Sequence, residues 1–364
     1  MMIIEIHYIQ NFAPSNLNRD DTNNPKDCVF GGVRRARISS QCLKRAIRFD
    51  PHFAAVSGVP VSQRTRFMTG EIKSQMEKSG ISEESAQSKA EEFSKHYSSK
   101  KAKMDGDKTN VMLFISSSEI KAIGDQLKNL EGEEQIKKFA EAFAKGNANR
   151  PGAPDIAMFG RMLADRPETN VDAACQVAHA ISTHSVAMDL DFFTAVDDLL
   201  KEGETGAGMM GVIGFNSACF YRYATIDVDQ LTKNLNGDIA MARNTVSAFL
   251  QASTYAIPSG KQNSFAAHNP PSFLMAVVRE DGQCWSLANA FEKPVAAFGK
   301  ESLLQASIKA MVAYWEKMNT FFGGQAKVVT ALLEDVENLD TLTDTRVATF
   351  PAWVEAVTSQ LPQE

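Results

Sequence analysis

Residues 30–48 carry the sequence FGGVRRARISSQCLKRAIR, which predicts a glycine turn, an extended stretch and then a helix. Residues 33–38 suit an extended chain, and Ser39 or Ser40 can cap a helix that ends near Phe49. The helix has one apolar stripe, made of Cys42, Leu43, Ala46 and Ile47. The opposite face is polar and basic, and it consists of Gln41, Lys44, Arg45 and Arg48.

This segment is positively charged, although the net charge of the chain is negative. The whole protein has a net charge of −6, whereas residues 26–48 contain seven basic residues and only one acid, Asp27. Free backbone N–H groups at the start of the helix favour a phosphate. Further cations precede the helix at Arg34, Arg35 and Arg37. A solvated basic face is the alternative, but the combination favours a surface for a polyphosphate backbone.

The elements around this segment predict an α+β fold. Residues 2–10 alternate as a strand, with Ile4, Ile6 and Tyr8 on one face and Glu5 and His7 on the other. Further strands are predicted over 184–190, 217–228 and 272–279. Helices are predicted over 171–182, 238–253, 302–321, 326–338 and 351–360, and several amphipathic helices over 71–145. Without residues 50–182, the order is βαββαβ, as in a ferredoxin-like or RRM-like sheet.

The composition excludes several classes of protein. With 364 residues, of which 44% are hydrophobic, the chain can bury a core. No apolar run reaches the roughly 18 residues that a membrane-spanning helix needs, and the N-terminus lacks a secretory pattern. The five cysteines form no CxxC pair. We therefore expect a cytoplasmic protein with no metal and no cofactor.

Six ordered blocks of the sequence resemble one known family. They are NLNRDD (16–21), PKDCVFGGVRRARISSQCLKRAIR (25–48), AHAISTHSV (178–186), DFFTAVDDL (191–199), FNSACFYRYATI (215–226) and NAFEKPV (289–295). In these blocks the chain is similar to the CasC family, the backbone subunits of the type I-E CRISPR surveillance complex Cascade. The region of residues 50–182 and the C-terminal part match that family only loosely.

The resemblance implies a hand-like, non-enzymatic protein. Its RRM-like palm would comprise residues 1–49 and 183–300, with helical fingers at 50–182, a thumb hairpin at 191–216 and a helical region at 301–364. Several copies would stack along one CRISPR RNA, together with other Cascade subunits, and hold the guide for pairing with target DNA. Each thumb would displace one nucleotide at a regular interval. No membrane partner is implied.

The resemblance also assigns residues to this function. The guide contacts that it implies are Arg19, Lys26, Ser40, Gln41, Lys44, Arg45 and Arg48, which include the basic helix face. The base-wedging residues that it implies are Met162, Phe193, Thr194 and, at the thumb tip to within a residue or two, Met210. Lys261 is a further candidate RNA contact. An ordinary RRM presents stacking aromatics, and this sequence has no such pattern.

Some residues of the sequence also fit other functions. Asp189 and Asp191, or the pair Asp20–Asp21, could hold Mg²⁺ in a divalent-dependent endoribonuclease. Residues 206–211 match GxGxxG, but no helix is predicted after them. Cys175 and His179, four apart on the helix predicted there and near His184, could begin a metal site, although core packing is the simpler interpretation. A general RNA-binding module that works alone is a third possibility.

Overall fold

The architecture rests on a computed structural model, which describes all residues except 100–103, 147–151, 197, 200–206, 324, 338 and 364. The described residues form thirteen strands: β1 (Ile3–Ser15), β2 (Asp27–Phe30), β3 (Val33–Ile38), β4 (Gln63–Thr65), β5 (Met104–Asp105), β6 (Lys108–Thr109), β7 (Leu113–Ile115), β8 (Cys175–Val177), β9 (Ala180–Ser182), β10 (Asp189–Val196), β11 (Ala207–Asp227), β12 (Phe273–Arg279) and β13 (Lys327–Leu332).

The same residues form twelve α-helices: α1 (Ser40–Phe49), α2 (Pro51–Ser57), α3 (Met68–Glu77), α4 (Glu83–Ser98), α5 (Ser117–Leu127), α6 (Glu133–Lys145), α7 (Pro154–Phe159), α8 (Val228–Asn234), α9 (Ile239–Tyr255), α10 (Gln262–Phe265), α11 (Leu303–Phe322) and α12 (Phe350–Thr358). Short 3₁₀ turns lie at Pro167–Thr169, Ala288–Phe291 and Asp340–Thr345. None of these helices is both long and apolar enough to cross a bilayer.

A nine-stranded sheet organises the chain. Its strand order is β13-β12-β1-β11-β9-β3-β2, and β8 and β10 also pair with β11. Neighbouring strands are antiparallel; Ile6 of β1, for example, lies opposite Ala224 of β11 and Ala276 of β12. The hairpin of β2 and β3 forms one edge of the sheet, and α1 begins directly after it. The basic segment therefore lies at a sheet edge, opposite the edge formed by β13.

Both faces of the central strand β1 are buried. Ile4, Ile6 and Tyr8 join a core that includes Phe249 of α9 and Trp353 of α12. On the other face, Ile9 belongs to a second core with residues of α11. A third core lies within the helical region between α3 and α6. Because a core of its own holds that region together, it packs as a unit beside the sheet.

Glu5 and His7 of β1 lie on the face that α11 covers, and they form a buried network. Oε1 of Glu5 accepts a hydrogen bond of 2.6 Å from Nε of Arg279, and both side chains are fully buried. The Arg279 guanidinium lies 3.7 Å from the ring centre of Trp285. Nδ1 of His7 lies 2.9 Å from the hydroxyl of Tyr221. Both faces of β1 are therefore packed against other parts of the protein. The alternation of apolar and polar residues along β1 separates two buried faces, and neither of them is exposed to solvent.

His7 should make folding sensitive to acid. Burial, with the nearby charge of Arg279, lowers its pKa to about 3, whereas an unfolded histidine titrates near 6.5. Between these values the unfolded chain binds a proton that the folded chain does not, so stability is lost as the pH falls from about 6.5 towards 3.

We expect wild type to lose on the order of a few kcal/mol more than His7→Asn by pH 4. The asparagine amide can replace Nδ1 toward Tyr221 but does not titrate. Thermal unfolding of both proteins from pH 8 to pH 4 checks this. Parallel curves across the whole range would show that His7 does not carry the effect.

Several predicted elements agree with the structure and three do not. The strand at the N-terminus and the helix that ends at Phe49 are confirmed. The helix predicted over 171–182 is wrong, because β8 and β9 pair there with β11, and β9 with β3 as well. The helix predicted over 326–338 is wrong, because β13 pairs along β12. The strand predicted at 184–190 begins later, at Asp189. Pairing with neighbouring strands outweighs local helix propensity in the first two cases.

Candidate nucleic-acid interface

Helix α1 is anchored at its N-terminus to the loop that follows β1. The hydroxyl of Ser39 accepts from the backbone N–H of Cys42 at 3.3 Å and so caps the helix. The backbone N–H of Ser39 in turn donates to Oδ1 of Asn18 at 2.8 Å. Leu43 and Ile47 are buried beneath the helix. These contacts fix the orientation of the opposite, polar face.

On that polar face, neither Lys44 nor Arg45 forms an ion pair with another described residue. Gln41 and Arg45 are exposed, while Ser40 and Lys44 are half-buried. Burial raises the pKa of the Cys42 thiol, and the charges of Lys26 and Arg45 oppose the rise. The backbone N–H of Lys26 donates to the carbonyl oxygen of Asn18 at 2.8 Å, and Oδ1 of Asn18 accepts from Ser39, so Lys26 lies close to the start of the helix. We call Lys26, Lys44 and Arg45 the basic surface.

His179 lies beside the basic surface, and not in the helix that the sequence predicts over 171–182. It is exposed in the connection between β8 and β9, and its Nδ1 lies 3.1 Å from Nη1 of Arg37. Burial lowers the pKa of His179, and the charges of Arg37 and Lys26 lower it further. In the sequence, core packing in a largely apolar helix was the simpler interpretation of His179, because no second pair of ligands completes a metal site; in the structure its side chain is exposed.

Two further candidates lie around the loop after β1. Arg19 is exposed and donates from Nη1 to Oδ1 of Asn23 at 3.2 Å. Lys261 is half-buried and follows Gly260. A Cβ at Gly260 would lie 2.3 Å from the carbonyl oxygen of Leu17, so only glycine permits this close approach. Lys261 is thereby held next to the same loop as Arg19.

Arg35 does not belong to an accessible surface, which corrects the sequence-based assignment. Its side chain is fully buried. Its guanidinium donates to backbone carbonyl oxygens of Phe30, Ser182, Phe291 and Glu292, at 2.6 to 3.2 Å. Arg35 is therefore a structural crosslink of the β2–β3 hairpin to the chain around Phe291. Its neighbour Arg34 is exposed, and its Nε lies 3.0 Å from Oδ2 of Asp27.

Arg48 likewise turns inward rather than joining the basic face. It is 3% exposed, and its Nε donates to Oδ2 of Asp155 at 3.2 Å. Its Nη2 donates to the carbonyl oxygen of Ser62 at 2.7 Å. Asp155 also accepts from the backbone N–H and the hydroxyl of Ser62. The contact joins α1 to α7, which explains why a residue spaced for the basic face is buried.

The residues implied for base wedging fall into two places. Strand β10 pairs with β11 in a hairpin in which Thr194 lies opposite Met210, and both side chains are exposed. Phe193 is half-buried, and its ring covers Gly211. Met162, 85% exposed, lies apart from the hairpin on the wall of a cavity behind α7. Part of the predicted thumb tip, residues 200–206, lies outside the described residues.

The structure also places the residues that were candidates for nucleotide binding and for metal binding. Residues 207–211 of the GxGxxG match lie in β11, so a strand rather than a helix follows the glycines. Cys175 is buried in β8, while Nε2 of His184 accepts from the backbone N–H of Cys219 at 3.1 Å. The hydroxyl of Thr22 holds the pKa of Asp20 below its ordinary value. Asp189 and Asp191 are exposed on β10.

These observations define a mixed α+β protein with a large antiparallel sheet and a cationic surface at one sheet edge. The chain belongs to the family of CT1975-like proteins, whose family model matches residues 4–356. No curated protein matches the chain.

Two solved structures are similar over almost the whole length. One is described as a pre-nicking CRISPR RNA-guided surveillance complex. The matching chain of that structure is 31% identical to this protein, with a TM-score of 0.82. The similarity covers 98% of this protein and 99% of that chain. The other, described as a CRISPR RNA-guided surveillance complex, is 28% identical with a TM-score of 0.65 and covers the same shares.

Proposed function

We propose that this protein is the CRISPR RNA-binding backbone subunit of a type I-E Cascade complex. The basic surface of Lys26, Lys44 and Arg45 is the observation that carries the proposal, because none of its three charges forms an ion pair with a described carboxylate, although Asp20 lies within electrostatic reach of Lys26. Ser40 and Gln41, at the start of α1, add backbone donors and a side-chain amide beside it. Lys and Arg contacts to phosphates grip RNA without reading its sequence.

The similarity to subunits of CRISPR RNA-guided surveillance complexes supports the same function. The strand order β12-β1-β11, continued by β8 and β9, is compatible with an RRM-like palm that carries α1. The helical region with its own core would be the fingers, and the hairpin of β10 and β11 the thumb. Arg19 and Lys261, near the loop after β1, would extend the grip along the RNA.

Polymerisation along the guide is the mechanism we propose. Successive copies, with other Cascade subunits, would hold one guide RNA, and each thumb would displace a base at a regular interval. Phe193, Thr194 and Met210 would take the place of the lost stacking partner together with Met162. The short ordered segments between displaced bases would pair with target DNA, and pairing would supply the specificity.

The experiment is co-expression of the chain with its CRISPR array, followed by purification and measurement of mass and bound RNA. We expect several copies of the chain on one guide RNA of uniform length. A monomer free of RNA would contradict the proposal. RNA fragments that form only with Mg²⁺ would favour a divalent-dependent endoribonuclease and contradict the non-enzymatic function that we propose.

The position of Phe193 provides a specific test of base displacement. A Cβ at Gly211 would lie 2.4 Å from Cζ of Phe193, so Gly211→Ala should displace the ring. We expect Gly211→Ala and Phe193→Ala to weaken the regular pattern of reactive guide nucleotides, while RNA affinity changes by less than about fivefold because phosphate contacts dominate it.

The matched control is Gly70→Ala. Gly70 lies in α3, with no atom within 4 Å of its added Cβ, so this change should leave the pattern as in wild type. An unchanged pattern in Gly211→Ala and Phe193→Ala would show that Phe193 does not displace bases of the guide.

A further inference from the structure

A cavity of about 510 Å³ lies in the helical region, between β7 and the chain that follows α7. This volume is in the range of small-molecule sites. Leu113, Phe114 and Phe159 supply apolar walls, and Asn170 and Asp172 supply polar groups. Met162 and Arg64 also line the cavity. The resemblance implies base wedging for Met162 but assigns nothing to the cavity itself or to Arg64.

Arg64 is available to a ligand. It is exposed, and its guanidinium carbon lies 5.0 Å from the ring centre of Phe114. No acidic side chain among the described residues forms an ion pair with it. A planar guanidinium backed by an aromatic ring is a platform on which a nucleobase can stack.

A row of stacked side chains connects this cavity to α1. The guanidinium carbon of Arg48 lies 4.4 Å from the ring centre of Phe114 and 5.1 Å from that of Phe49. Phe49 is 52% exposed and lies beside Arg45 of the basic surface, whose guanidinium carbon is 4.7 Å from its ring centre. An RNA strand whose phosphates contact Arg45 would therefore pass close to the cavity.

We propose that this cavity binds one unstacked nucleobase of the bound RNA, with Arg64 as its stacking platform. This inference rests on the proposed function. Apolar walls suit the faces of a base. Oδ1 of Asn170 already accepts from the backbone N–H of Leu163 at 2.7 Å, so its amide N–H groups can donate to the acceptors of the base edge, and the Asp172 carboxylate can accept from the donors of that edge. The carboxylate of Asp172 disfavours a phosphate inside the cavity, so the base enters and its phosphate stays outside.

Crosslinking of the full-length protein tests the proposal. Single-stranded RNA substituted with 4-thiouridine is bound, irradiated and digested, and the modified peptides are identified by mass spectrometry. We expect adducts both on α1 and on the cavity wall around Met112 and Phe114. Arg64→Ala should reduce the cavity adducts about fivefold or more and leave the α1 adducts unchanged.

Two variants sharpen this result. Arg64→Lys keeps the charge but loses the planar stacking surface, so it should lose the cavity adducts as Arg64→Ala does. Arg346→Ala removes another arginine, which pairs with Asp335, and should change neither set of adducts.

Four outcomes would overturn the proposal. Adducts confined to α1, or cavity adducts that survive in Arg64→Ala, would exclude the base site while leaving RNA binding intact. A cavity crosslinked instead to a second copy of the chain would assign it to protein contact. Failure of the wild type to bind RNA at all would contradict the proposed function as well.

Discussion

The double variant Lys44→Glu/Arg45→Glu is expected to lose at least about a hundredfold in affinity for single-stranded RNA. Both side chains lie on the polar face of α1, and neither has an acidic partner among the described residues, so both charges are free for phosphate. Replacing two cations by two anions removes two phosphate contacts and adds repulsion. The salt dependence should weaken too, by about 1.4 in the slope of log affinity against log salt.

Fluorescence anisotropy with labelled RNA at several salt concentrations measures both effects. The matched control is Lys317→Glu/Lys327→Glu, which makes the same change in net charge. Lys327 begins β13, at the sheet edge opposite the basic surface, and Lys317 lies in α11. Equal losses in the two double variants would mean that binding responds to net charge rather than to the basic surface.

Asp155→Ala is expected to destabilise the protein by about 3–5 kcal/mol. The carboxylate of Asp155 is 1% exposed and accepts from Arg48 and from Ser62. Its removal leaves a buried guanidinium without its charge partner and a backbone N–H without an acceptor. Because Arg48 contacts no phosphate in this account, the salt slope of RNA binding should not change. Urea unfolding and RNA titration of the same variant measure the two quantities.

The double variant Arg48→Met/Asp155→Leu is the control for this prediction. It removes both charges together and fills the space with apolar atoms, so it should recover most of the lost stability. The contradicting result is that Asp155→Ala lowers the free energy of unfolding by less than about 1 kcal/mol. That result, together with weaker RNA binding by Arg48→Met, would indicate that Arg48 contacts RNA.

Local pattern predicted the elements that position the site. The alternation of Ile4, Ile6 and Tyr8 predicted β1, and the stripe that contains Leu43 and Ile47 predicted α1. Both patterns report which side of an element is apolar, and that is enough to orient the basic face of α1. The large antiparallel sheet in a mixed α+β chain also agrees with the predicted fold class.

Burial by distant parts of the chain could not be predicted in this way. Arg35 and Arg48 belong to the same basic segment of the sequence as Lys44 and Arg45. In the structure, however, carbonyl groups near Phe291 bind Arg35, and the carboxylate of Asp155 binds Arg48. Those partners lie more than 100 residues away. The same limit explains His179, which reaches the basic surface only because residues 175–182 form strands instead of a helix.

A chemical footprint of the guide RNA, in the assembly purified from cells with its CRISPR array, tests most directly whether the basic surface holds the guide. We expect reactive nucleotides at a constant interval along the spacer, and the loss of this pattern when Lys44→Glu/Arg45→Glu replaces the wild-type chain. Uniform reactivity along the spacer, or a regular pattern that survives the double variant, would contradict the proposed grip on the guide.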